Sequence, residues 1–282
     1  MTAPDTKTSP RIVGLGASAG GLTALGDFFA QARPDSGVAY IVVQHLDPTQ
    51  KALLPQLLQR VTVMTVHEAE QGMPVAPDSV YVIPPNAELS LADGALHLTR
   101  PVEPRGMRLP INVLFSSLAS TLGERSIAVI LSGMGSDGTL GMQAIKAVGG
   151  LTLAQQPASA QFDSMPRSAI AAGCADIIAP PGELAARIQA YVDKIPDPAA
   201  AADDDRHIAA PPEPLHRIVS LLQQRTRHDF SLYKASTLHR RIERRMIIHG
   251  IATPALYADL LEHNAQEIDN QSLSTCRYSH PI

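Results

Sequence analysis

The sequence predicts an α/β fold: a doubly wound, mainly parallel sheet with one β-hairpin, followed by a small all-α domain. Three observations carry this expectation. Short apolar runs alternate with helical patterns from Arg11 to about Val192, the order of a parallel sheet covered by helices. Asp93-Gly94 sits between alternating apolar residues, which marks a hairpin. From Leu215 to His263 only helical periodicity remains.

The elements follow in order. Arg11-Ile12-Val13 is apolar and ends in Gly14-Leu15-Gly16, and a helical pattern runs from Gly21 to Gln31. Val38 to Val43 is continuously apolar, as a strand covered on both faces requires. Leu53 to Leu58 reads as a helix, Val61 to Val66 and Ser79 to Ile83 as strands, and Glu88 to Thr99 as the hairpin. Asn112 to Leu122 is helical, Ile127 to Leu131 a buried strand, and Gly138 to Val148 a helix. Gly150 to Ala154 is another strand candidate, Pro166 opens a helix that Gly173 closes, and Ile177-Ile178 and Leu184 to Val192 finish the unit. Pro196 to Pro214, with its alanine run and Asp203-Asp204-Asp205, should be a linker. Beyond it Leu215–Arg225, Ser236–Ile248 and Pro254–Leu261 are helices, with Ser236 or Thr237 capping the second and Gly250 stopping it. Domains are therefore expected at 8–195 and 215–268, with a linker over 196–214 and a disordered tail over 269–282.

Composition narrows the function. With 45% hydrophobic and 18% charged residues in 282, the chain has enough apolar content to fold. A net charge of −4 argues against a dedicated nucleic-acid binder. Cys174 and Cys276 are too few for a disulfide framework or zinc site, and a reducing, cytoplasmic compartment is expected. The start, Met1 to Pro10, has no secretory pattern, and no apolar run approaches the roughly 20 residues of a membrane helix.

Three loops carry possible chemistry. Gly16-Ala17-Ser18-Ala19-Gly20 fits the G-x-S-x-G elbow, in which a strained turn lifts the serine hydroxyl above the sheet. The helix after it aims backbone N–H groups at the same point. Dinucleotide or phosphate binding by the Gly14–Gly21 loop is an open alternative, although Ala19 stands where a Rossmann loop wants glycine and the second strand ends in Gln44-His45 without an acidic residue. His45 follows directly on the second strand. His67 and His97 are less well placed, among polar residues and on the hairpin. The third loop is Ser132-Gly133-Met134-Gly135-Ser136-Asp137-Gly138, again after an apolar strand. Asp137 alone could merely cap the helix from Gly138. Ser18, His45 and Asp137 on three strand ends at one sheet edge suggest a Ser-His-Asp triad, in a chain order that disfavours an ordinary α/β-hydrolase.

Together, Gly14 to Gly21, Val43-Gln44-His45, Ser132 to Gly138 and Met165-Pro166-Arg167 resemble the catalytic domain of CheB-type protein-glutamate methylesterases. The resemblance implies Ser18, His45 and Asp137 as the triad and the Met134 backbone N–H as an oxyanion donor, with Ala19 as the second. Many members carry threonine at the position of Ala19. The part from Leu215 to about Glu267 is similar to the N-terminal helical domain of CheR-type receptor methyltransferases, through Asp229-Phe230 and the run from Tyr233 to Met246. After Ile268 that pattern stops, so methyltransferase activity is not expected, and no receiver domain is recognised before the esterase part.

The resemblance implies hydrolysis of glutamate γ-methyl esters, and deamidation of glutamines, on the cytoplasmic methylation helices of chemoreceptors, with no metal or organic cofactor. Neither a nucleic-acid partner nor membrane insertion is expected. Arg240, Arg241, Arg244 and Arg245 recur at i and i+4 on one predicted helix, either as a solvated face or as a dock for acidic receptor helices. A nucleotide-binding domain and a catalytically silent docking protein are the alternatives.

Overall fold

The structure, a computed structural model, describes residues 10–45, 53–104, 107–195, 213–226, 235–264 and 267–268. It divides into two compact units, 1–145 with 150–189 and 146–149 with 190–282.

The first unit is the expected α/β fold. Among the described residues nine strands form in chain order: β1 (Arg11–Ala17), β2 (Val38–Gln44), β3 (Thr65–Glu68), β4 (Ser79–Val82), β5 (Glu88–Ala92), β6 (Ala95–Thr99), β7 (Ile127–Ile130), β8 (Leu151–Gln155) and β9 (Ile177–Ala179). Seven make one parallel sheet in the order β3-β4-β2-β1-β7-β8-β9. Helices α1 (Gly21–Phe29), α2 (Leu54–Gln59), α3 (Pro110–Leu122), α4 (Thr139–Ala147), α5 (Ser164–Ala171) and α6 (Pro181–Lys194) connect or follow these strands. The central strands β2 and β7 are apolar throughout their cores and buried on both faces. β5 and β6 pair as the expected hairpin, with Asp93 (φ 50°) and Gly94 (φ 75°) both left-handed, as a tight two-residue turn requires. The hairpin is bonded to α3: Leu91 N donates to Ser117 Oγ at 3.0 Å and Thr121 Oγ1 to the Leu91 carbonyl at 2.9 Å.

One strand expectation is corrected. Val61 to Met64 is not strand; β3 starts at Thr65. The Gln59 side chain holds that stretch as a turn, donating to the Thr62 and Met64 carbonyls at 3.2 and 3.0 Å and accepting from Val66 N at 3.0 Å. The helix expected to open at Pro166 begins at Ser164, with Pro166 in its first turn, where a missing N–H costs nothing.

Among its described residues the second unit holds, besides the end of α6, the helices α7 (Glu213–Thr226), α8 (Ala235–His249) and α9 (Pro254–His263). Leu215, Ile218 and Leu222 of α7, Leu238, Ile242 and Met246 of α8, and Tyr257, Ala258 and Leu261 of α9 form one buried cluster at helical spacing. Helix α7 starts at Glu213 rather than after Pro214, because proline is well accommodated in a first turn. Helix α8 starts at Ala235, so Ser236 and Thr237 lie inside it and neither is its N-cap. The rest of the expected linker, 196–212, and the tail, 269–282, lie outside the described residues.

The core of this unit contains a carboxylate. Glu267, 2% exposed, accepts from Arg245 Nε at 2.8 Å and Nη2 at 2.5 Å, from Tyr257 Oη at 2.7 Å, and meets His249 Nε2 at 3.0 Å. Burial alone would raise its pKa, but hydrogen bonds from His249 and Arg245 and their positive charge outweigh that and hold the carboxyl at about 2. Arg245 therefore differs from the docking role expected of it. It is buried in the stripe of Ile242 and Met246, and its charge is directed to Glu267.

A depressed carboxyl contributes stability above its unfolded pKa and loses it as pH falls towards the folded value. The helical unit should therefore weaken as pH drops from about 4.5 towards about 2, and Glu267→Gln should remove that dependence. Hydrogen exchange of α7 to α9 measures both. At neutral pH the same variant should cost roughly 3 kcal/mol or more, since it strands the buried Arg245 charge.

Candidate active site

The register of the parallel sheet decides where the three loops meet. Ala17 pairs with Gln44 and Gly16 with Ile130. The ladder continues past the strand ends: His45 N donates to the Ala17 carbonyl at 3.2 Å, Leu131 N to Gly16 at 2.9 Å, and Ser18 N to Ser132 at 3.0 Å. Ser18 thus follows the end of β1, flanked by the residues that follow β2 and β7. This is the carboxyl edge of the sheet, where β1 separates chain segments running to opposite sides, the usual place for a ligand in such folds.

The turn after Ser18 is not strained at the serine. Ser18 is not among the residues of positive φ; Gly20 takes the left-handed conformation instead (φ 70°), because it lacks a Cβ to clash. Close approach makes a second demand. A Cβ on Gly133 would stand 2.9 Å from Ser18 Cβ and 2.4 Å from Met165 Sδ, so only glycine lets the 132–138 loop lie against the serine. Ser132 clamps the Ser18 turn from both sides. Its carbonyl accepts from Ser18 N, and its buried hydroxyl donates to the Ala19 carbonyl at 2.9 Å and accepts from Phe162 N at 3.0 Å. Gln155 Oε1 accepts from Ser132 N at 2.8 Å, and Ser164 Oγ accepts from Gly135 N at 3.0 Å. The Met165-Pro166-Arg167 motif belongs to this bracing: Met165 N donates to the Gly133 carbonyl at 3.0 Å, and Arg167 pairs with Asp163.

Asp137 does not cap the helix that follows it. Its Oδ2 accepts from Ile111 N and its Oδ1 from Asn112 N, both at 3.0 Å, which are orphan donors in the first turn of α3. Leu109, the residue before α3, provides no side-chain cap, so the buried Asp137 substitutes for it from another loop. Oδ2 also meets His45 Nε2 at 3.0 Å. The two oxygens thereby serve two backbone amides and one imidazole nitrogen.

Ser18, His45 and Asp137 line one cleft of about 560 Å³, with Met134, Pro84, Pro85, Asn86 and Arg108 among its other walls. Asp137 is 3% exposed and His45 36%. The Ser18 hydroxyl makes no hydrogen bond among the described residues, to His45 or otherwise. The backbone N–H groups of Ala19 and Met134 likewise donate to no acceptor among them. His67 stacks on Tyr81 with ring centroids 5.4 Å apart, and His97 meets Gln71 at 3.2 Å; neither lines the cleft. Among the described residues no group of three or more His, Cys, Asp or Glu could hold a metal ion.

A profile of the CheB methylesterase family matches residues 13–188, more than half of the chain. The chain belongs to the CheB methylesterase family. A second profile, the all-alpha domain of CheR methyltransferase, matches residues 213–270. Among relatives, the chain is 38% identical over 188 residues to a protein-glutamate methylesterase/protein-glutamine glutaminase of Thiobacillus denitrificans, covering 64% of this chain and 52% of that one. A homologue of the same description from Paraburkholderia xenovorans is 37% identical, covering 67% and 53%. An uncharacterised 104.1 kDa protein of Rhodobacter capsulatus is 38% identical over 76% of this chain and 24% of its own length. The chain thus spans about half the length of the methylesterase relatives, and about a quarter of the Rhodobacter protein. The crystal structure of the Thermotoga maritima CheB methylesterase catalytic domain superposes with a TM-score of 0.59 at 30% identity, covering 64% of this chain and 98% of that domain.

The structure brings Ser18, His45 and Asp137 to one cleft, and its loops are supported by Ser132, Gln155 and Ser164, which the sequence pattern does not single out as supports. Their only signal is a polar residue at a position otherwise reserved for core, such as Gln155 at the end of the apolar β8. Asp137→Ala should uncap α3 and release His45, costing about 1–2 kcal/mol in urea unfolding. Asp137→Asn, which keeps one acceptor, should cost less.

Proposed function

We propose that this chain hydrolyses glutamate γ-methyl esters on chemoreceptor cytoplasmic helices, and deamidates glutamines by the same route, through Ser18, His45 and Asp137. The observation that carries this is the cleft at the carboxyl edge, where the Ser18 turn, the His45 ring and the buried Asp137 carboxylate meet. Family membership and the names of the relatives support the reaction class.

In this reading Ser18 Oγ attacks the ester carbonyl carbon while His45 takes its proton. With Nε2 bound to Asp137, Nδ1 is the ring nitrogen left for that transfer. The carbonyl oxygen becomes an oxyanion facing the unengaged N–H groups of Met134 and Ala19. The C–O bond to methoxide breaks, His45 returns the proton, and methanol leaves. A water activated by His45 then attacks the Ser18 ester, and the glutamate carboxylate and the free serine are released. With a glutamine substrate the leaving group is ammonia. Asp137 holds the imidazole and stabilises its cation without itself being protonated. The chemistry requires no metal or organic cofactor.

The helical unit, assigned to 215–268 with the methylesterase unit at 8–195, is read as a receptor-docking module. Of the four arginines of that reading, Arg240 is exposed and Arg241 half-buried, Arg244 lies over the Tyr191 ring at 5.3 Å, and Arg245 belongs to the internal pair with Glu267.

Ser18→Ala should lower methanol release from methylated receptor roughly 10⁴- to 10⁶-fold, and His45→Gln by a comparable factor, because the groups act as a unit. Unchanged release in the Ser18 variant would refute the assignment. Calorimetric binding of NAD or ATP would instead favour a nucleotide site.

A further inference from the structure

The cleft contains a charged group that the reaction does not use. Arg108 is half-buried and lines the wall with Asn86 and Glu88. Its guanidinium is fixed at two points by neutral acceptors: Nε donates to the Glu103 carbonyl at 2.7 Å and Nη1 to Asn86 Oδ1 at 2.8 Å. Asn86 follows Pro84-Pro85 and takes a left-handed backbone (φ 57°), which asparagine tolerates better than most residues. Among the described residues no carboxylate pairs with Arg108, although Glu88 lines the same cleft. A planar cation is thus held in orientation by two separate segments, with one Nη1 hydrogen and both Nη2 hydrogens bonded to no described residue and no described carboxylate paired with it.

Such a fork suits a carboxylate, which it can meet with two parallel hydrogen bonds. The proposed reaction itself generates carboxylates. A substrate chain with several modified glutamates presents free side-chain carboxylates beside each remaining ester. We propose that Arg108, positioned by Asn86, is a specificity-determining residue that binds a free carboxylate flanking the scissile ester, so that the site prefers acidic segments. This rests on the methylesterase reading above and adds the substrate class to it.

The test uses the full chain and two synthetic peptides. Both carry one glutamate γ-methyl ester at the same position; one has glutamates on either side of it and the other has glutamines. The wild-type chain should favour the acidic peptide in kcat/KM, mainly through KM, and added salt should erode the preference. Arg108→Gln should cut that preference roughly tenfold to a hundredfold, the usual size of a hydrogen bond to a charged group. Arg108→Lys, which keeps the charge without the fork, should keep part of it. Equal turnover of the two peptides by the wild-type chain, or a preference that survives in Arg108→Gln, overturns the assignment of Arg108 alone. An equal fall on both peptides in Arg108→Gln also overturns it. No Ser18-dependent turnover of either peptide overturns the methylesterase reading and this assignment with it.

Discussion

Asp137 occupies the point on which the site depends. Its two carboxylate oxygens serve three donors: the amides of Ile111 and Asn112 in the first turn of α3, and Nε2 of His45. The residue is buried, so an unmatched charge there would be costly, and the three donors are what make the anion tolerable. The same bonds join three parts of the chain that are distant in sequence: the end of β2, the start of α3 and the loop after β7. Helix α3 in turn carries the hairpin through Ser117 and Thr121. One buried anion therefore links helix capping, hairpin placement and the orientation of the imidazole.

The second constraint is the parallel register. Successive residues at the ends of β1, β2 and β7 are aligned by ladder hydrogen bonds, so the loops leave the sheet side by side. Register alone would leave the loops separated by their side chains. Gly133 removes that obstacle, and Ser132 then bonds across the gap to the Ala19 carbonyl. The serine turn is thus held by its neighbours rather than by internal strain, with Gly20 absorbing the unusual backbone angle. A site assembled in this way relies on rigid strand ends, which is why its supports are distributed over β8 and α5 as well.

In the helical unit the same physics has a different outcome. Glu267 is surrounded by Arg245, His249 and Tyr257 within an otherwise apolar three-helix core. A buried pair of this kind contributes little over a hydrophobic filling, but it penalises any packing that separates its members. It also explains why a run of arginines in the sequence does not amount to a uniform basic face. Position 245 lies in the apolar stripe, and its charge is spent on the interior.

Much of this was legible in the sequence. Continuous apolar runs identify strands buried on both faces, Asp93-Gly94 identifies the hairpin, and helical periodicity after Leu215 identifies a separate all-α part, because period and turn chemistry are local properties. The types and chain order of Ser18, His45 and Asp137 are likewise local, and so is the glycine content of their loops. Which donor Asp137 binds is not local. Its sequence neighbours suggest a cap for the helix beside it, whereas the fold brings the uncapped start of α3 closer. The Gln59 bonds that make a turn of an apparent strand, the inward turn of Arg245 and the fixing of Arg108 by Asn86 also depend on which segments become neighbours. Elements and residue types at the loops follow from short-range pattern, so they can be read from the chain alone. Their partners come from the folded arrangement, because a hydrogen bond between distant segments depends on geometry that no short window of residues contains.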